Sequence, residues 1–491
     1  MGDNSEAYTS HEKGTPSSSR NAKKTIFIKY PNLAVGGVQS VIAAQMSILT
    51  KADYEVILVL NDDNVSYPLP VGAHLEILRG NAQNRLDAWS NLLKVFNPSS
   101  YIDHSILYRR DWPEYANRAR ACGVQSVAWL HSYLARSILE FNTNLSFIHE
   151  NWDHLDKVVV LSATDRDYYS AMGHKNVIFL PNPPSLLMQV KRRQAARTIH
   201  EQSAPNLLWA GRLNQSVKQV SDLILIMVEI VQSLPGAYLN IVGPASDTSS
   251  DQVRQMVAEN ELEAHVSVHN EVANLELACF YEQADIYLAT SVIEGFPMSL
   301  CEANSYGLPI VMYELPWLWI AEANPGIIPV TQNDVTAAAE NVVKLASDPV
   351  AYKRASLGGL MKVSQLRDLD FHTTYQQLLD RALEPPPPID PVRIAHILVS
   401  IDRYYSRTCL QKSALLSEYS SRATQLTAYA DRILEKNQKL QKENHKLYAE
   451  LVSYRGVKRS ARLLAGAIMR RLKSGKHRTM RFPPIPGQLV V

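Results

Sequence analysis

Short hydrophobic runs alternate with longer amphipathic segments along most of this 491-residue chain, from Thr25 onwards. The longer segments, such as residues 35–49 and 217–234, repeat apolar side chains at helical spacing. The short runs predict buried strands: TIFIKY, YEVILVL, SVAWLH, KVVVLS, NLLWAG, AYLNIVG, VSV, DIYLATS and LPIVMYE. Because strands that alternate with helices pair in the parallel direction, the pattern predicts parallel sheets covered by helices.

The rhythm of strands and helices breaks near residues 201–206 and then starts again. The break predicts two α/β domains, at residues 25–200 and 204–384, which face each other across a cleft. Residues 1–24 are polar and rich in serine, so we expect a disordered N-terminus. A stiff, proline-rich linker is expected at residues 385–391.

The C-terminal part has a different pattern, with apolar residues at every seventh position of residues 392–454. One series is Leu426, Ile433, Leu440, Leu447 and Tyr454, and the companion series is Ala423, Ala430, Asn437, Asn444 and Leu451. This spacing predicts a helical coiled coil and a homo-oligomer, with the two asparagines defining register. The alternative is a long helix that packs back on its own domain.

A basic tail follows at residues 455–491, where no acidic residue occurs. Apolar residues in it recur at helical spacing, which is typical of a basic amphipathic helix on an anionic membrane surface. The alternatives are a solvated basic tail or an RNA contact without function.

Composition narrows the class of protein further. The chain has a net charge of +2 and 20% charged residues. This composition is typical of a globular protein, and the small net charge argues against a nucleic-acid binder. Its four cysteines lack paired spacing, so neither a disulfide framework nor a zinc site is predicted. We therefore expect a cytoplasmic protein, and the basic tail would place it peripherally on the inner face of the plasma membrane.

Candidate chemistry is concentrated in SVIEGFPMSLCEANSYGLPIV, residues 291–311. Glu294 precedes a turn and a helix start, and Glu302 lies about two turns further on. Carboxylates accept hydrogen bonds from vicinal hydroxyls, so both glutamates are suited to holding sugars. A helix start binds anions, and Arg212 and Lys218 in AGRLNQSVK supply cations for a phosphate.

Several motifs in this order resemble the retaining glycosyltransferases of family four: GGVQ, LPNPP, AGRLNQSVK, NIVGPAS and the glutamate motif. The resemblance covers about residues 25–380. It implies the GT-B fold of two facing Rossmann-like domains and a sugar transfer from a nucleotide-sugar donor with retention. It also implies that no metal or cofactor takes part, the nucleotide sugar being a substrate.

The resemblance also implies roles for individual residues. Arg212 and Lys218 would neutralise the donor diphosphate, and Glu302 would bind the ribose. The transferred sugar would be held by Glu294, by the backbone N–H groups of Gly295 and Phe296, and by His131. Gly36 and Gly37 would let the first domain approach donor and acceptor. The acceptor is expected to be a lipid-linked glycan or a cell-envelope polymer.

Other interpretations stay open at this point. The glutamates could be surface carboxylates, the cations a charge cluster at a helix start, His131 a core histidine, and Gly36-Gly37 a turn. Asn182 fits either a ligand contact or a Pro-Asn-Pro turn. The whole chain could instead be a nucleotide-sugar epimerase or phosphorylase on the same fold, or a catalytically silent coiled-coil scaffold. Asp165 and Asp167 form a DRD that mimics a manganese motif, but they follow a strand at a predicted helix start, where acids suit the helix dipole.

Overall fold

The computed structural model describes residues 23–34, 36–139, 145–190, 193–199, 204–380 and 387–453. The disordered N-terminus predicted for residues 1–24 falls almost wholly outside these ranges, as do residues 385 and 386 of the predicted linker and the basic tail from residue 455. No described helix combines the length and the apolar character needed to span a bilayer.

The first domain is built on a seven-stranded sheet in the order β3-β2-β1-β4-β5-β6-β7. Its strands are β1 (Thr25–Lys29), β2 (Glu55–Leu60), β3 (Ala73–Ile77), β4 (Ser100–Asp103), β5 (Gln125–Leu130), β6 (Lys157–Val160) and β7 (Val177–Phe179). Its helices are α1 (Gly37–Lys51), α2 (Ala82–Phe96), α3 (Trp112–Ala121), α4 (Leu134–Leu139), α5 (Leu145–Glu150), α6 (Ala163–Ala171) and α7 (Leu186–Val190), with a 3₁₀ turn at Trp152–His154.

The second domain is built on a six-stranded sheet in the order β10-β9-β8-β11-β12-β13. Its strands are β8 (Asn206–Ala210), β9 (Tyr238–Val242), β10 (Val266–His269), β11 (Ile286–Ala289), β12 (Ile310–Tyr313) and β13 (Ile327–Val330). Its helices are α8 (Gln215–Lys218), α9 (Val220–Ser233), α10 (Ser250–Glu259), α11 (Asn274–Gln283), α12 (Met298–Ser305), α13 (Val335–Ser347), α14 (Pro349–Asp368) and α15 (Phe371–Asp380).

All strand pairs in both sheets are parallel. Parallel strands are buried on both faces, which explains why the strands appear in the sequence as continuous apolar runs. Large aromatic side chains fill the space between sheet and helices, among them Trp89 and Trp129 in the first domain and Trp209 in the second. The predicted pair of Rossmann-like domains is confirmed.

Close packing at Gly243 joins the first two strands of the second sheet. A Cβ atom on this residue would lie 1.9 Å from the carbonyl oxygen of Gly211, and its φ of 148° favours glycine. The NIVG motif therefore keeps the loop after β9 directly against the loop after β8.

A single helix, α16 (Pro391–Ser453), spans almost the whole segment predicted to be a coiled coil. Its first part, up to Tyr405, belongs to the compact unit that holds both sheets. There Arg393 pairs with Asp167 of the first domain at 3.1 Å, and Arg403 pairs with Glu314 of the second. The predicted domain boundary at residue 392 thus does not coincide with the boundary between compact units.

The second compact unit begins at Ser406 and contains the rest of α16. Three residues of the heptad series, Leu426, Ile433 and Leu440, are exposed there. An exposed apolar stripe with this spacing is suited to a second helix. Pairing with another copy of the chain, and hence the homo-oligomer, stays a prediction.

Candidate functional site

The candidate site lies where the strand order of each sheet reverses. In open parallel sheets, ligands bind outside the carboxyl ends of the strands at this switch point. The reversal falls between β1 and β4 in the first domain and between β8 and β11 in the second. Arg212 follows β8 and Glu294 follows β11, so the switch point of the second domain brings together residues that are distant in sequence.

Two loops at this switch point are tied to each other by hydrogen bonds. The hydroxyl of Thr290 donates to the carbonyl of Lys218 at 2.7 Å, and the N–H of Val292 donates to the carbonyl of Val217 at 2.9 Å. Helix α8 ends at Lys218 because the next residue, Gln219, adopts a left-handed conformation. Lys218 is therefore held in place at the end of a one-turn helix, beside the loop that carries Glu294.

Lys218 and Glu294 form an ion pair, with Nζ donating to Oε1. Their side chains are 19% and 16% exposed, so the ion pair is partly buried but still accessible to solvent. An ammonium group has three N–H donors and a carboxylate has two oxygens, so each partner retains groups for a ligand. The predicted roles for these residues, phosphate binding and sugar binding, are compatible with the pair.

Helix α12 begins beside this ion pair. Its N-cap is Pro297, which offers no side-chain hydrogen bond to the first turn. Backbone N–H groups at an uncapped helix start are donors for an anion. Lys218, Glu294, Pro297 and Ser299 line one pocket together with Trp209 and Tyr287.

Glu302 lies in the second turn of α12 and is buried, with 7% of its surface exposed. The hydroxyl of Tyr281 donates to its Oε2 at 3.0 Å, and the hydroxyl of Ser185 also bonds to it. Burial raises the pKa of this carboxyl, while both hydrogen bonds oppose the rise. The interpretation of Glu302 as an ordinary surface carboxylate is therefore wrong.

His131 follows β5 and is partly buried beneath the loop that carries Glu294. A Cβ atom on Gly295 would lie 2.5 Å from the carbonyl oxygen of His131, so only glycine allows this approach. The His131 ring is hydrogen-bonded to that of His104, with 2.7 Å between Nε2 and Nδ1. Burial lowers the pKa of His131 well below the usual histidine value, and His104 contributes to the shift.

The two predicted glycines of the first domain differ in their surroundings. A Cβ atom on Gly36 would lie 2.4 Å from Oε1 of Gln39 and 3.4 Å from Nη2 of Arg212. The same atom on Gly37 would meet nothing within 4 Å. Gly36 therefore provides space for the exposed guanidinium of Arg212, which brings the glycine loop and the second domain together.

Several residues of the site could not be identified as such from the sequence. Nε1 of Trp317 donates to the carbonyl oxygen of Glu294 at 2.7 Å, and its ring stacks on that of Tyr133 with 4.1 Å between centroids. Phe296 stacks on Trp319 in the same region. The one sequence signal is that both tryptophans come just after a buried strand.

The polar residues Asp165, Asn182 and Asp167 bond to other groups of the protein, which supports a structural role for them. Asp165 accepts a hydrogen bond from the N–H of Leu134 at 3.1 Å, and Asn182 accepts one from Nε1 of Trp129 at 3.1 Å. Asp167 is ion-paired with Arg393, as described above. Within the described ranges, no group of three or more His, Cys, Asp or Glu side chains is placed to hold a metal ion.

Comparison with known proteins adds a family match in the second domain. Residues 204–348 match the family model for glycosyl transferases group 1. The chain is 29% identical over 112 residues to the UDP-N-acetylglucosamine–peptide N-acetylglucosaminyltransferase GtfA subunit of Streptococcus pneumoniae, which covers 23% of this chain and 21% of that protein. It is 29% identical over 142 residues to the GDP-mannose:cellobiosyl-diphosphopolyprenol alpha-mannosyltransferase of Xanthomonas oryzae, covering 28% of this chain and 37% of the relative.

A solved structure is similar over both domains. TarM of S. aureus, crystallised with UDP, fondaparinux and alpha-GlcNAc-glycerol, aligns with a TM-score of 0.61 at 13% sequence identity. The alignment covers 73% of this chain and 100% of the TarM chain. The assignment to family four in particular is not tested by these findings and stays a prediction. The chain therefore has the two-domain fold of TarM, and its second domain is similar to the glycosyl transferases of group 1.

Proposed function

We propose that this protein transfers a sugar, with retention of configuration, from a nucleoside diphosphate sugar to a lipid-linked glycan or a cell-envelope polymer. The observation that carries the proposal is the Lys218–Glu294 ion pair beside the start of α12, at the switch point of the second sheet. It combines a cation, a carboxylate and the start of a helix around one pocket. A sugar diphosphate needs these three types of group.

Different groups of the site would bind different parts of the donor: cations and N–H groups the diphosphate, and carboxylates the ribose and the sugar. Lys218, Arg212 and the first N–H groups of α12 bind the diphosphate and stabilise its charge as it leaves. Glu302 accepts hydrogen bonds from the ribose hydroxyls. The sugar is held by Glu294, by the N–H groups of Gly295 and Phe296, and by His131.

Retention follows if the acceptor attacks from the face that the diphosphate leaves. The bond between the anomeric carbon and the diphosphate oxygen breaks, a bond to the acceptor oxygen forms, and the acceptor proton passes to the departing phosphate. The transition state resembles an oxocarbenium ion, and no protein nucleophile is required. Catalysis then rests on positioning and charge stabilisation, without a metal or a cofactor.

The acceptor proposal draws on the first domain and on the relatives. Tyr108 is 47% exposed and its hydroxyl lies 3.0 Å from that of Ser132, next to His131, so its loop is suited to contact an acceptor. The name of the Xanthomonas relative specifies a diphosphopolyprenol acceptor, and that of GtfA specifies a peptide. The basic tail favours the first type, at the cytoplasmic face of a membrane. Neither an epimerase or phosphorylase nor a silent scaffold finds support among the relatives.

Replacement of Glu302 tests the donor site. Calorimetric titration with UDP, GDP, ADP and CMP is expected to show binding of one nucleotide, with UDP the first to test because it is present in the TarM structure. Glu302→Ala should weaken that nucleotide roughly 10- to 100-fold, because hydrogen bonds to a charged acceptor are lost. The matched control is Glu340→Ala, an exposed glutamate of α13. Wild-type affinity in Glu302→Ala, or no binding of any nucleotide, would contradict the donor assignment.

Product analysis tests the reaction itself. With the donor identified, we expect the anomeric configuration of the new linkage, measured by NMR, to equal that of the donor. Activity should also persist after dialysis against EDTA, because Lys218 and Arg212 supply the charge that a metal would provide. An inverted anomer would exclude the proposed geometry of attack. A loss of activity that Mg²⁺ or Mn²⁺ restores would show that the cations of the protein are insufficient.

A further inference from the structure

His104, which lacks a role in the resemblance or in the proposed function, is buried directly behind His131. It follows β4, is 1% exposed, and its ring stacks on that of His131 with 5.0 Å between centroids. On its other sides it contacts the rings of Trp129 and Tyr30. The 2.7 Å distance between His104 Nδ1 and His131 Nε2 is that of a hydrogen bond, so one of these nitrogens carries a hydrogen and the other does not.

The surroundings of His104 decide between the two arrangements. Its Nε2 is buried and has no hydrogen-bond partner among the described residues. If His131 were the donor, neutral His104 would carry its hydrogen on Nε2, as a buried N–H without a protein partner. If His104 is the donor, Nε2 is only an unused acceptor. Orphaned buried N–H groups are rarer than unused acceptors, so the second arrangement is favoured.

Charge does not change this choice. Burial lowers the pKa of His104 to about 3 and that of His131 well below its usual value, so both rings are neutral near pH 7. A neutral His131 that accepts at Nε2 must carry its own hydrogen on Nδ1. Nδ1 makes no hydrogen bond within the described part of the chain, and it is the nitrogen left for a ligand.

We propose that His104 is a positioning residue, which donates from Nδ1 to Nε2 of His131 and thereby fixes His131 as an Nδ1–H donor to a hydroxyl oxygen of the transferred sugar. The contact with sugar rests on the proposed function, whereas the tautomer does not. The orientation of one ring by a hydrogen bond to its other nitrogen is a general property of histidine sites. Here a second histidine supplies that bond.

Ring nitrogen spectra test the tautomer without any substrate. In protein labelled with ¹⁵N-histidine, the His131 signals can be assigned by their loss in His131→Gln. Two-bond correlations between ring carbons' hydrogens and nitrogens distinguish a protonated from a bare nitrogen. We expect Nδ1 of His131 to be protonated and Nε2 to be bare. The opposite pattern would overturn the proposal, whether or not sugar transfer has been demonstrated.

Two substitutions of nearly equal shape separate positioning from packing. In His104→Asn the amide nitrogen is as many bonds from Cα as Nδ1, so it can still donate to His131, whereas His104→Leu cannot. We expect His104→Leu to raise the KM for the donor about tenfold with little change in kcat, and His104→Asn to stay within about threefold of wild type. Equal KM values in the two variants would reduce His104 to a packing residue. Melting curves identify a His104 variant that does not fold. The tautomer is measured on the wild-type protein, so that test does not depend on the folding of either His104 variant.

If the wild-type protein transferred no sugar and bound no nucleotide, the proposed function would fail. The spectrum would still decide whether His104 fixes the tautomer. Conversely, an active enzyme with His131 bare at Nδ1 would leave the function intact and remove only this inference.

Discussion

Lys218→Met is expected to lower kcat for sugar transfer by about 100- to 1,000-fold, the effect typical for loss of one preorganised group that stabilises developing charge. Lys218 stands at the end of α8, where the Thr290 hydroxyl donates to its carbonyl and the Val292 N–H donates to that of Val217, and its ammonium is paired with Glu294. A neutral side chain of similar length keeps the packing but removes the charge that the leaving diphosphate requires. Steady-state kinetics at saturating donor measure the effect.

The same substitution also leaves Glu294 without its partner. A partly buried carboxylate that loses its ion pair destabilises the fold, so reduced activity could reflect unfolding. Lys218→Met combined with Glu294→Gln removes both charges and should restore the melting temperature without restoring activity. Lys218→Arg, which keeps a cation, should retain more activity than Lys218→Met. Full activity in the stable double variant would rule out this part of the mechanism.

Gly295→Ala is expected to reduce the rate of sugar transfer to a few per cent of the wild-type rate or less. Nucleotide binding to the second domain should survive. The new Cβ would lie 2.5 Å from the carbonyl oxygen of His131 and 3.1 Å from its carbonyl carbon. Both are backbone atoms, so relief requires the two loops to move apart and not merely a side chain to rotate. Sub-ångström errors in the position of reacting groups lower rates steeply.

Calorimetry and kinetics on the same sample separate these effects. Arg212, Lys218 and Glu302 all belong to the second domain, so the nucleotide affinity of Gly295→Ala should remain near that of wild type. Gly37→Ala is the matched control for protein packing, because a Cβ there meets no atom within 4 Å. Its melting temperature should be unchanged. Wild-type activity in Gly295→Ala would mean that the close approach to His131 is not needed for transfer.

Most of the fold could be predicted because central parallel strands are continuous apolar runs. The strands not foreseen are short or lie at sheet edges: β3, β4, β7 and β13. No residue of the edge strand AHLEI is fully buried, and β13 contains Pro329, which is typical of an edge. β4 is central but polar at its ends, because Asp103 forms a buried ion pair with Lys29 at 3.0 Å. A charge compensated from another strand has no local sequence signal.

The site was predictable to the extent that it depends on short motifs. Glu294, Lys218 and Arg212 stand in stretches whose glycines, prolines and charges suggest a ligand without knowledge of the fold. Trp317 and His104 act through partners that are distant in sequence, Glu294 and His131 respectively. The two residues of such a pair come into contact only in the folded protein, where the order of the strands in the sheet brings their loops together. A single sequence therefore indicates candidate residues for the chemistry better than it indicates the residues that hold them in position.

The attachment of the first turns of α16 changes where this chain can be shortened. Ile397 is 3% exposed, and Arg393 and Arg403 pair with opposite domains. A chain ending near residue 386, at the proline-rich segment, would lose all three contacts and uncover apolar surface on the compact unit that holds both sheets. A chain ending after Tyr405 would keep them and lose the rest of α16 together with the basic tail. Any comparison of full-length and truncated protein that aims to isolate the long helix should use the second end point, since the first also removes part of the folded unit.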